Sequence, residues 1–178
     1  SIRLTRLGVV FGALIAAVVV VSSASVTNTR YFTLYNLTYL DRSLPHSAAG
    51  ELLETFASSG YGYGNAFMIA YENWWDHRAV GLEAGRMDWP NTIPDIDTLP
   101  RVMQMAAMRP PDSPYRLNVN YDLLFFVNQF DAEALVRLGT WFPSGYTQDM
   151  TPYQAEDRYR VFRVPAPGED GFNAFLQE

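Results

Sequence analysis

The chain contains no cysteine, no lysine and only two histidines, His46 and His77. Without cysteine there is no disulfide, no thiolate nucleophile and no thiolate-held iron–sulfur or zinc centre. Without lysine there is no Schiff base and no phosphate-loop lysine. A zinc site would have to recruit carboxylates, and a bis-histidine haem would require His46 and His77 to meet. All 13 cationic side chains are arginines. From Asp41 onward, 19 acidic residues stand against 10 arginines, a formal balance of −9. Such a surface repels a phosphate backbone, so no nucleic-acid partner is expected.

Aromatic residues are plentiful: 11 Tyr, 11 Phe and 4 Trp. They supply packing area for a core, and their amphipathic members also suit a partner-facing surface. A length of 178 residues is enough for one domain and an anchor.

The anchor is read from the first apolar run. Residues 1–6 are short and basic, and Leu7 to Val21 carry no polar side chain. As a helix, the charge-free stretch between Arg6 and Arg30 would span about 35 Å, against a hydrocarbon core of roughly 30 Å. We therefore expect a transmembrane helix over residues 7–28. Arg3 and Arg6 favour a cytoplasmic N-terminal tail, which places the rest of the chain on the extracytoplasmic, periplasmic face. The basic start, apolar centre and small residues Ser22 and Ala24 also fit a removable signal peptide. A retained anchor is the expectation. Gly8 and Gly12 form a G-x-x-x-G pair and Ala16 extends the slim face, a surface suited to packing against other transmembrane helices.

Residues 29–46 form an aromatic-rich juxtamembrane linker with Tyr31, Phe32, Tyr35 and Tyr39. Residues 47–178 form the domain. Its pattern predicts a helix from Ser47 to Gly60, a strand over Asn65–Tyr71 and another over Ala79–Ala84. A Pro-rich loop follows, then a helix over residues 99–109. The continuous apolar run Tyr121–Asn128 suits a central strand buried on both faces. Asp131 starts the next helix, Tyr146–Met150 reads as an edge strand, and Tyr159–Val164 alternates as the last strand. A tail packs through Phe172 and Phe175. The fold class expected is α/β: a single N-terminal transmembrane helix followed by one small mixed or mostly parallel α/β sandwich domain.

The most unusual segment is Glu72-Asn73-Trp74-Trp75-Asp76-His77-Arg78, with Trp89 nearby in sequence. His77 beside Asp76 suggests a base oriented by a carboxylate, but neighbours on a strand point oppositely, so such a pair needs a turn. Trp74, Trp75 and Trp89 offer platforms for a sugar ring or anchors for a partner protein, or pack within the domain. Asp88, Asp95 and Asp97 are oxygen donors for a divalent cation, or helix caps. The Tyr61-Gly62-Tyr63-Gly64 turn lacks the spacing and the strand-first order of a phosphate loop. No catalytic, cofactor or metal residue is assigned, and no cofactor is expected.

Three stretches, NTRYFTLYN after the apolar run, GNAFMIAYENWWDHRAVGLEAG, and DLLFFVNQFDAEALVRLGTWFP, resemble the C-terminal end of bacterial membrane glycosyltransferases of the dolichyl-phosphate-mannose mannosyltransferase type. The resemblance implies a last transmembrane helix leading into a small extracytoplasmic α/β domain. Catalysis in that family is associated with acidic residues in a first extracytoplasmic loop among many membrane helices. This sequence has neither, so no catalytic residue carries over. The functional expectation is a non-catalytic accessory or structural subunit of a larger membrane complex, with an electron-transfer assembly as one host. Its partners would be membrane lipids and transmembrane subunits. The alternative is a non-catalytic extracytoplasmic domain of a lipid-linked-sugar glycosyltransferase, with carbohydrate held near Trp74, Trp75, Asp76, His77, Arg78 and Trp89.

Overall fold

The apolar N-terminal run forms the longest helix, α1, Ile2–Thr27. The computed structural model describes residues 2–30, 45–71, 76–151 and 158–177, with side chains from residue 11 onward. Within it, α1 belongs to one unit, Ser1–Ser43, and the remaining elements form a second, Leu44–Glu178. α1 is long and apolar enough to cross a membrane.

The second unit is built on β3, Leu123–Asn128, whose first five residues are all buried. A strand covered on both faces needs apolar side chains at every position, which the run LLFFV supplies. β3 pairs in parallel with β1, Ala66–Ile69, and antiparallel with β5, Tyr159–Val164. β1 in turn pairs in parallel with the two-residue β2, Thr92–Ile93, and β5 pairs antiparallel with β4, Tyr146–Met150. The order across the sheet is β2-β1-β3-β5-β4. The mostly parallel alternative is thus replaced by an evenly mixed sheet. β5 runs antiparallel to both of its neighbours, β3 and β4.

Strand alternation divides the core into two apolar clusters. Leu123, Phe125 and Val127 join one face with Leu99 and Met103 of α4, Leu99–Ala107, and with Leu138 of α5, Ala132–Trp141. Phe172 and Phe175 of α6, Gly168–Phe175, complete that face. The Phe175 ring lies 4.8 Å from that of Phe142, centroid to centroid. Leu124 and Phe126 join the opposite face with Leu53 and Phe56 of α2, His46–Phe56, and Val80 of α3, His77–Glu83.

Several expectations change. Residues 79–84 lie in α3 and the turn after it, not in a strand. Asp76 caps that helix by accepting a hydrogen bond from the Arg78 amide, and Gly81 lets it turn closely against residue 86. The Pro-rich loop contains β2. The C-terminal tail is helical, although it packs through Phe172 and Phe175 as its apolar spacing implies. The helix from Asp131, the central strand and the edge strand stand where the sequence places them.

Candidate functional site

β1 and β3 lie side by side in parallel, and their following helices belong to opposite faces of the sheet. This is a topological switch point, the place beyond the carboxyl ends of the strands where open α/β sheets receive ligands. The loop leaving β1 carries the segment singled out by sequence. Glu72, Asn73, Trp74 and Trp75 lie outside the described residues. Asp76, His77 and Arg78 stand at the start of α3.

Asp76 organises this end of the sheet. Its Oδ1 accepts from the Arg78 amide at 2.9 Å and from Arg78 Nε at 3.3 Å. His77 Nδ1 is 3.9 Å from the same oxygen. The Asp76 amide donates to His46 Nε2 at 3.3 Å. Both histidines of the chain therefore converge on Asp76, one from α3 and one from the start of α2. His46 falls in the expected linker, considered only as a metal or haem partner of His77, and no local signal links positions 46 and 76.

Electrostatics follow from these contacts. The Arg78 amide, above all, holds the Asp76 carboxyl below its ordinary value. Burial pushes both imidazoles down, against the opposing pull of Asp76 on each and of Glu83 on His46. At neutral pH the arrangement is an ionised carboxylate beside two neutral imidazoles. The turn needed to bring His77 back to Asp76 exists, but 3.9 Å is beyond hydrogen-bond length and the carboxylate oxygen is engaged by Arg78. The geometry is that of a helix cap joined to a neighbouring helix.

Trp89 must be removed from any surface platform. It is 1% exposed, its ring packs edge-on against Phe126, and its indole N–H donates to the Tyr63 carbonyl at 3.2 Å. The three carboxylates considered for a cation have separate engagements. Asp88 accepts from the Tyr115 hydroxyl, Asp95 accepts from the Asp97 amide, and Asp97 pairs with Arg137 at 2.9 Å. Among the described residues, no three His, Asp or Glu side chains converge as a metal site.

Two buried asparagines absent from the sequence reading fix the opposite end of β1. Asn65 donates to the carbonyls of Asn118, Tyr121 and Asp122, and accepts from the Asn118 amide. Asn91 donates to the carbonyls of Tyr63, Gly64 and Ala66, and accepts from Arg109 at 2.6 Å. These side chains satisfy main-chain groups that the sheet does not pair.

Among the described residues, cavities lie at both ends of the sheet. One, of about 630 Å³, lies before the amino ends of β1 and β3, lined in part by Gly62, Asn65, Arg116 and Tyr121. The other, of about 540 Å³, lies beyond the carboxyl end of β3 against Gln129, Phe130, Asp149, Arg158 and Arg160.

In the other unit, the space where a Gly12 side chain would stand is open and Ala16 is exposed. Gly8 lies in α1, outside the residues whose side-chain surroundings are described. Comparison of the chain with protein-family models, curated proteins and solved structures gives no match.

Proposed function

We propose that the chain is a single-pass, non-catalytic accessory subunit of a larger membrane complex. In this reading α1 docks against transmembrane helices of the host. The second unit, a small mixed α/β sandwich, braces the host on the extracytoplasmic face. One observation carries the proposal. Every large apolar side chain of α1 from Phe11 to Val26 is at least half exposed, with Phe11 at 67% and Val21 at 68%. Such a surface requires lipid or other helices, and the slim face at Gly12 and Ala16 admits a helix closely. Among the described residues, Asp76 at one end of β1 and Asn65 and Asn91 at the other are engaged in holding the fold, consistent with a scaffold role. An electron-transfer assembly remains one candidate host.

The second reading, an extracytoplasmic domain serving a lipid-linked-sugar glycosyltransferase, draws on the cavity beyond β3. Phe130, 71% exposed, shares that cavity with Gln129, Asp149 and Arg158. An aromatic face with hydrogen-bonding side chains suits a glycan.

Purification of the tagged chain in mild detergent, followed by mass spectrometry of intact assemblies, separates the readings. Recovery in fixed ratio with several membrane subunits supports the accessory role and names the host. Recovery with a sugar transferase alone, or as part of a longer polypeptide with many membrane helices, favours the second. A chain recovered without membrane partners overturns the accessory proposal.

A further inference from the structure

We propose that β4 is a homotypic pairing edge: two copies of this chain join β4 to β4 antiparallel, about a two-fold axis at Gln148, and extend the sheet from five strands to ten. The proposal goes beyond the accessory role and names a second copy of the chain as the occupant of this edge.

The two edges of the sheet differ. β2 is two residues long and offers little to pair with. β4 is five residues long, and its first four residues are exposed. Among the described residues it pairs with β5 alone, in unbroken register from Tyr146 opposite Arg163 to Met150 opposite Tyr159. Edge strands are ordinarily protected by proline, lysine, a bulge, shortness or an uncompensated charge. β4 has no proline, no lysine and no bulge. Its one charge, Asp149, is paired with Arg160 at 2.9 Å on the neighbouring strand. Among the described residues, no strand pairs with the outer row of amides and carbonyls, which stands as a template.

The sequence of the strand selects a second copy of itself. In an antiparallel pair centred on Gln148, Tyr146 of one copy faces Met150 of the other, and Thr147 faces Asp149. Alternation puts the Tyr–Met pairs on one face and the Thr–Asp pairs on the other. A thioether against an aromatic edge is favourable, and a hydroxyl donates naturally to a carboxylate. Centring the pair on Asp149 instead would oppose two like charges. Centring it on Thr147 would set Asp149 against Gly145 and lose both favourable pairs. A five-residue strand buries less than the ~1,000 Å² of a free-standing interface. Confinement by the membrane anchor, on the reading above, raises effective concentration and lets a small interface persist.

Because the chain has no cysteine, a single introduced thiol reports directly. Gln148→Cys places two thiols across the axis, where directly opposed Cβ atoms stand about 4.5–5.5 Å apart, near disulfide reach. In Tyr146→Cys the two thiols are offset by four residues, roughly 14 Å, beyond that reach. With full-length protein in native membranes under mild oxidant, Gln148→Cys should shift on a non-reducing gel to twice the monomer mass, reversibly with reductant. Tyr146→Cys and Met150→Cys should each stay monomeric alone and link when co-expressed. Failure of Gln148→Cys to link, or equal linking by Tyr146→Cys alone through random collision, overturns the proposal. The readout requires no host complex, so it stands or falls separately from the accessory role.

Discussion

Asn91 is fully buried and uses both ends of its side chain, three carbonyls on one and Arg109 on the other. Truncation to Ala strands several buried groups at once, each costing about 1–3 kcal/mol. Asn91→Ala should therefore lose about 3 kcal/mol or more, seen as a lowered midpoint in chemical denaturation. Neither Asn65 nor Asn91 was legible in the sequence. An asparagine beside glycine or proline reads as turn chemistry, and its real partners lie elsewhere, Asp122 being 57 positions from Asn65. The cluster at Asp76 was legible only in part, since the residue that completes it, His46, comes from another helix. That cluster has a pH signature. Both imidazoles have folded values below the ordinary 6.5, so in the window between, the unfolded chain binds more protons. Their contribution to stability is full above about pH 6.5 and is lost as pH falls toward the folded values. Asp76, held low, gives up its contribution only on further acidification through its folded value. The melting temperature should fall between pH 7.5 and 5.5, and the double variant His46→Gln, His77→Gln should flatten that slope.

At the scale of elements, periodicity located α5, β3, β4 and β5 because each carries its pattern within itself. It failed for α3, where AVGLEA is short enough to read as a strand. What decides for a helix is the cap at Asp76 and the close approach at two glycines, both tertiary facts. A side chain at Gly50 of α2 would stand 3.0 Å from the Val80 carbonyl oxygen and the Ala84 amide nitrogen, and would meet Glu83. Gly50→Ala gains up to about 1 kcal/mol of helix propensity but overpacks a backbone contact at about 1–3 kcal/mol. The clash should win, lowering the melting temperature. Gly139 in α5 has open space around it, so Gly139→Ala should stabilise by about 0.5–1 kcal/mol in the same assay. Loss of the α3 cap in Asp76→Ala should cost about 1 kcal/mol, measured by chemical denaturation.

For the whole molecule, the division into an apolar helix and a mixed α/β unit was legible from hydropathy alone, whereas the strand order was not. Sheet order depends on which strands meet across long connections, and no local pattern records that. The anchor makes a direct prediction. Val18→Arg at the middle of α1 adds about 2.5–3.5 kcal/mol to insertion, so part of the protein should move from the alkali-resistant membrane pellet into the soluble fraction. If the second unit lies on the extracytoplasmic face as proposed, protease applied from that side of intact cells, after outer barriers are opened, should remove a C-terminal tag while sparing an N-terminal one.

The position of β3 at the heart of the sheet also sets a schedule. A ribosome delivers this chain from its N-terminus, so Ala66–Ile69 emerges long before the strand that shelters it. The 57 positions from Asn65 to Asp122 take roughly 3–11 s to make at about 5–20 residues/s. Throughout that interval β1 has α2 and α3 to cover one face, but among the described residues its only strand partner is the two-residue β2. Safe passage through that interval falls to whatever receives the growing chain, a requirement imposed by strand order rather than by final stability.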